Sequence, residues 1–208
     1  LPDWARINHA LLVSVEIDSE LVAILGLDDP VRSDAKKTIT SLRKLGIDKV
    51  LLVSGDREET SRSVGSEVGV DEIHFNCRPE DKLRIVEREL AASSGTVVFA
   101  GDGINDAPAL TRASAGVAMG ARGATAASEA ADVVIVEDSI RHLAIAIDVA
   151  KGARARAVQA AGGGMSLAMV AMALASFGVL DATGSAIAQE FIDVAAILWA
   201  LVPTRKRV

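Results

Sequence analysis

Cysteine is almost missing from this chain. Its single copy, Cys77, excludes an internal disulfide framework and nearly excludes a zinc site built on cysteines. The residue suits a small buried filler in a reducing compartment. A signal peptide is also missing. The sequence opens LPDWARINHALLVSVE, with leucine in first place, and reads as the tail of an upstream unit, so a fragment of a longer protein is expected. Positive charge is not in excess: the net charge is -6 at pH 7, which argues against nucleic acid as a partner. The most informative absence is local. Between Ala157 and Leu180 there is no charged residue at all, whereas residues 1–150 carry charges throughout.

The charged part reads as alternating strands and helices. Leu11 to Leu27 alternates apolar and polar residues around Asp18-Ser19, as a hairpin does. Ser33 to Leu45 has helical apolar spacing, with Gly46 as a stop. Val50 to Val53 is a short apolar run of the buried parallel kind. Arg57 to Val68 predicts a helix closed by Gly69, and Glu72 to Phe75 a strand. Pro79 opens a charged helix running to about Ala92, in the first-turn position proline favours. Further strands are expected at Thr96–Ala100, Ala115–Met119 and Val133–Val136, and a helix from Ser139 onward. This order predicts an α/β class with a Rossmann-like parallel sheet. Ligands bind such sheets at the carboxyl ends of the strands. Ser54-Gly55-Asp56 and Gly101-Asp102-Gly103 both stand at such ends.

Four motifs carry chemistry. In GDGINDAPAL, Gly101 to Leu110, two glycines flank Asp102 and let the backbone turn sharply. Asp102 and Asp106 can then face one Mg²⁺, a hard cation that prefers oxygen and neutralises charge in phosphoryl transfer. A plain turn does not require two acids, an asparagine and a proline in this order. The SGD triplet, Ser54 to Asp56, offers a hydroxyl and backbone N–H groups to a phosphate; alone it also reads as a capped strand-to-helix turn. PEDK, Pro79 to Lys82, puts a cation in a helix's first turn, against the dipole. Aiming Lys82 at a phosphoryl group and leaving it solvated beside Glu80 and Asp81 both fit. DPVR, Asp29 to Arg32, suits a nucleotide contact or a capping turn with a surface arginine.

Together these residues resemble the haloacid-dehalogenase-like phosphorylation domain of P-type ATPases. SGD stands where that family usually has TGD. The tract MGARGATAASEAADVVIVEDSI, Met119 to Ile140, resembles the heavy-metal-translocating members. The resemblance implies ATP and Mg²⁺ as cofactors, with Asp102 a Mg²⁺ ligand and Asp106 beside it. It implies that Ser54 and Gly55, with Asp56 in the same triplet, hold the phosphoryl group and that Lys82 stabilises it. Asn105 and Asp106 would support the site, and Asp29 and Arg32 would contact nucleotide. The family's nucleophile is an aspartate in DKTGT. No DKTGT occurs among the 208 residues, nor does the TGE loop. In the family the nucleotide-binding domain, the actuator domain and the first membrane helices lie upstream. This chain by itself is therefore expected not to turn over ATP.

The uncharged stretch from Ala157 to Leu180 would reach about 36 Å as a helix at ~1.5 Å per residue, enough for a ~30 Å hydrocarbon core. Asp181 to Ser185 reads as a turn and Ala186 to Val202 as a return helix, making a two-helix transmembrane hairpin. Basic groups Lys151, Arg154 and Arg156 before it, and Arg205, Lys206 and Arg207 after it, place both ends in the cytoplasm. The catalytic domain would then face the cytoplasm from a multi-pass position in the cell's inner or plasma membrane. Glu190 and Asp193 fall one turn apart in the second span, where ionisable residues are costly and usually functional. Both suit a transported divalent cation, and both also suit a helix-packing role. The segment QEFIDVAAILWAL resembles the last helix of heavy-metal pumps, and oxygen ligands favour zinc, cadmium or cobalt over copper. The expected division is 1–12 as the tail of a nucleotide-binding domain, 13–150 as the phosphorylation domain and 151–208 as the hairpin and basic tail. A membrane-tethered module that binds Mg²⁺ or nucleotide without catalysis is the rival expectation.

Overall fold

The computed structural model describes residues 11–27, 30–92, 95–101, 104–120, 126–137 and 139–202. Asp29, Asp102 and the basic tail Arg205–Arg207 lie outside the described residues. The chain divides into two compact units, Leu1–Ala144 and Ile145–Val208.

The first unit opens with an antiparallel hairpin, β1 (Leu11–Ile17) and β2 (Glu20–Leu27). Asp18 and Ser19 both take positive φ, 52° and 65°, as a two-residue hairpin turn demands. Next comes α1 (Ala35–Lys44), whose buried residues Ala35, Thr38, Ile39 and Leu42 form one stripe. β3 (Leu51–Val53) and β4 (Glu72–His74) pair in parallel across α2 (Glu58–Val68). Gly69 ends α2 at φ 80°, a left-handed cap that a side chain would strain. Asp71 ties the starts of these strands together. Its carboxylate accepts from the Val50 N–H at 2.8 Å and from Arg43 at 3.0 Å. The Val50 N–H and then the Arg43 guanidinium hold that carboxyl below its ordinary range.

After α3 (Pro79–Ala92) come β5 (Val98–Gly101), a single 3-10 turn at Ile104–Asp106 and α4 (Ala107–Arg112). β6 (Ala115–Met119), α5 (Ala126–Ala130) and β7 (Val133–Ile135) follow. β5, β6 and β7 form a parallel three-stranded ladder. Leu110 and Ala118 are fully buried and pack with Phe99, Ala130 and Ala131. The parallel α/β character agrees with the sequence reading, but one detail differs. Among the described residues, β3 is bonded to β4 and β5 to β6, so the strands ending in SGD and in Gly101 are not bonded neighbours. Alternation of elements predicts parallel strands without fixing which strand lies beside which.

Helix α6 (Arg141–Ser176) starts in the first unit and runs 36 residues without a break. The turn that follows is Phe177–Asp181, and α7 (Ala182–Ala200) begins earlier than expected. Asp181 explains the shift: its side chain caps α7 by accepting the Gly184 N–H at 2.7 Å, so Ala182–Ser185 are helical instead of forming the turn. Within the second unit α6 and α7 touch where Arg156 stacks on Trp199, 5.2 Å from the ring centre. They approach again at Gly164, where an added methyl would lie 3.5 Å from Ala196. Among the described residues α6 is the one helix long and apolar enough to cross a membrane, and its apolar stretch is not buried.

Candidate phosphoryl-transfer site

The loop after β3 is built by hydrogen bonds from β4 and its continuation. Ser54 donates its N–H to the His74 carbonyl at 2.9 Å and accepts the Cys77 N–H at 2.9 Å; Asn76 donates to the Asp56 carbonyl at 2.8 Å. The SGD triplet then closes on itself. The Ser54 hydroxyl donates to Asp56 Oδ2 at 2.8 Å and accepts the Asp56 N–H at 3.1 Å. That N–H is therefore engaged locally. To meet a phosphoryl oxygen, the hydroxyl proton must turn away from Asp56, a bond rotation with no backbone change. Gly55 lies by the same strand end, where an added methyl would meet the Cys77 carbonyl at 3.5 Å.

The second cluster joins α3 to the turn after β5. Pro79 starts α3, and Lys82 in its first turn reaches Asp106 Oδ1 at 2.6 Å. The side chains are only 18% and 7% exposed, so this ion pair is largely dry. Asp106 is held in place by a close backbone approach. A methyl added at Gly101 would fall 2.6 Å from Asp106 Oδ2, so a larger residue at the end of β5 would have to displace the Asp106 side chain. Asn105 is exposed beside it. The placement of Lys82 against its helix dipole thus has an observed partner, a carboxylate. Neither motif by itself announced that the two residues meet.

Segment Cys77–Lys82 connects the clusters, bonded to Ser54 at one end and to Asp106 at the other. Cys77 is half-buried, and its thiol lies 3.6 Å from the Phe75 carbonyl. Burial pushes that thiol above its ordinary range, which keeps it protonated and unreactive. Arg32 is exposed in the turn before α1. Asp29 and Asp102, the expected nucleotide and Mg²⁺ contacts, fall outside the described residues.

Mg²⁺ fits the kind of donors present. An acidic strand end with hard oxygens suits an ion that keeps several waters and takes one or two carboxylates plus phosphate. Among the described residues no group of three or more His, Cys, Asp or Glu could hold a metal. Asp106 gives Oδ1 to Lys82. In α7, Glu190 and Asp193 are exposed, and Asp193 accepts the Gln189 amide at 3.1 Å.

Known proteins bear on this arrangement. A model of haloacid dehalogenase-like hydrolases matches residues 3–114. The chain is 37% identical to the probable cation-transporting ATPase G of Mycobacterium tuberculosis over 90% of its length, and 24% of that protein is covered. It is 35% identical to the cadmium, zinc and cobalt-transporting ATPase of Bacillus subtilis over 83% of its length and 25% of that protein. The chain spans about a quarter of the length of these curated relatives. A solved zinc-transporting PIB-type ATPase in its E2.Pi state superposes with a TM-score of 0.75 at 28% identity, over 92% of this chain and 31% of that one. With an acidic turn after β5 and its lysine partner in a helix opened by proline, the chain belongs to the haloacid dehalogenase-like hydrolases, and the relatives it matches over most of its length are heavy-metal P-type ATPases.

Proposed function

We propose that this chain is part of an ATP-driven pump for a divalent heavy-metal cation, of the zinc, cadmium or cobalt kind, that works through an aspartyl-phosphate. The observation that carries the reading is the dry Lys82–Asp106 pair at the end of β5, linked through Cys77 to the Ser54 loop. A phosphoryl group spreads negative charge over its oxygens during transfer, and catalysis is mostly positioning and charge stabilisation. Lys82 is the cation for that purpose, and Asp106 fixes its direction. Ser54 and Gly55 would hold phosphoryl oxygens once the hydroxyl leaves Asp56. Asp102 and Asp106 would bind Mg²⁺, which supplies charge neutralisation when bound. Asn105 would brace the turn, and Asp29 and Arg32 would meet ATP at the approach to α1.

In the same reading α6 and α7 form a membrane hairpin, and Glu190 and Asp193 serve the transported ion. The exposed apolar surface of both helices supports a lipid setting. Asp102→Asn in the full-length protein should abolish Mg²⁺-dependent phosphoenzyme; normal phosphoenzyme in that variant would remove the metal assignment. Glu190→Ala should alter the metal profile of ATP hydrolysis, and an unchanged profile would take Glu190 out of transport. The 208-residue chain alone, without DKTGT, is expected to show no ATP turnover, and measurable turnover would overturn that expectation.

A further inference from the structure

Asp34 occupies the N-cap position of α1, yet its side chain makes no cap hydrogen bond there. Asp is among the residues that normally spend their carboxylate on the amides of the helix they open. This one turns to a different helix, more than a hundred residues away in sequence. Its Oδ2 accepts the Ser139 hydroxyl at 2.6 Å and the Arg141 N–H at 3.2 Å, and Arg141 is the first residue of α6. Ser139, two residues before α6, gives its hydroxyl proton to the same carboxylate.

Both ends of the contact are anchored. The Asp34 carbonyl accepts from the Thr38 N–H and the Thr38 hydroxyl, each at 2.9 Å, and Thr38 is 2% exposed. On the other side, Leu143 and Ala144 are buried one turn into α6. The Ser139 hydrogen bond, with help from the Arg141 N–H, holds the Asp34 carboxyl below its ordinary range. An anion therefore faces the N-terminus of a 36-residue helix, the favoured sign.

We propose that Asp34 is a positioning residue that caps α6 from outside it, so that the turn before α1 and the first turn of α6 move as one piece. The functional half of this inference rests on the pump reading. The turn in question directly follows the Asp29–Arg32 segment, and α6 carries the apolar stretch. A shift of the turn would then be delivered to the membrane-crossing helix through one carboxylate.

The cap is tested in the 208-residue chain in lipid nanodiscs by amide hydrogen exchange. Asp34→Ala should speed exchange about five- to tenfold at Arg141 and His142, the size of a lost helix cap. Asp34→Asn keeps an acceptor and should stay close to wild type. Ser139→Ala leaves α1 untouched and should reproduce the effect at Arg141, and the double variant should be no faster than the stronger single one. Faster exchange confined to α1, or uniform through the first unit with Ser139→Ala silent, would overturn the inference. The coupling is tested in a full-length protein carrying this segment. Asp34→Ala should slow metal-stimulated ATP turnover several-fold while phosphoenzyme formed from ATP stays at the wild-type level. Equal loss of both, or loss of neither, refutes the coupling. A wild-type protein that forms no phosphoenzyme would sink the pump reading, and the exchange experiment would still decide the cap.

Discussion

In the first unit the large apolar side chains of the helices face inward; in the second they face outward. Leu110, Leu42 and Ile39 are at most 8% exposed, whereas Met165, Leu167, Met169 and Phe191 are 55–73% exposed. The hairpin β1–β2 departs from the first pattern, with Ile17, Leu21 and Val22 more than half exposed, and two strands alone are marginal without a partner surface. The first unit buries an ion pair, while the second leaves its acids Glu190 and Asp193 on the outside. In the pump reading the two patterns belong to different solvents. Water drives the first unit to hide its apolar surface. The second has nothing to gain from hiding it if lipid is its surroundings, since lipid tails are as apolar as leucine.

The largest expected effect tests the dry ion pair. Lys82→Met removes the cation beside a carboxylate that is 7% exposed and should cost about 3–5 kcal/mol of stability in the first unit. Urea unfolding measures this, and Lys82→Met with Asp106→Leu should recover much of the loss. A single variant as stable as wild type would mean the pair is effectively in water. Next comes the outward-facing surface. Leu167→Arg should cost about 3–4 kcal/mol of membrane insertion, read by glycosylation mapping, whereas undiminished insertion would break the contrast between the units. Gly101→Ala, with its methyl 2.6 Å from Asp106 Oδ2, should cost about 1–3 kcal/mol by overpacking and release Lys82 from its direction. A crystal structure of that variant with the pair intact would contradict this.

The smallest effect concerns Asp71. Its folded pKa lies below the unfolded one. Its contribution is therefore fully present above the unfolded value of ~3.9 and is lost as pH falls through the lower folded value. Acid titration followed by circular dichroism should show Asp71→Asn less stable at neutral pH and converging on wild type in strong acid. Parallel curves would remove Asp71 as a pH-sensitive clasp between β3 and β4.

Much of this molecule was legible before any fold was known. Pro79 marked the start of α3, the helical apolar spacing from Ser33 to Leu45 marked α1, and the uncharged stretch marked the body of α6. These features are local: a ring without an N–H, a periodicity of about 3.6, and a run without charge each act through nearest neighbours in sequence. Asp181 was misread because Asp-Ala-Thr-Gly-Ser has turn composition, and the same composition serves a helix cap. Of the site residues, Lys82 and Asp106 were each singled out, but for separate roles.

The sequence by itself determined the classes of element, the acidic and glycine-rich strand ends and the presence of a span-length apolar helix, because propensity and hydrophobic pattern act over a few residues. Only the tertiary structure decided that Lys82 spends its charge on Asp106, that β3 and β5 lie in separate ladders, and that Asp34 leaves its own helix uncapped to hold the start of α6. Those choices join residues far apart in the chain. Hydrogen-bonding side chains carry no address for a distant partner until packing has brought it within about 3 Å.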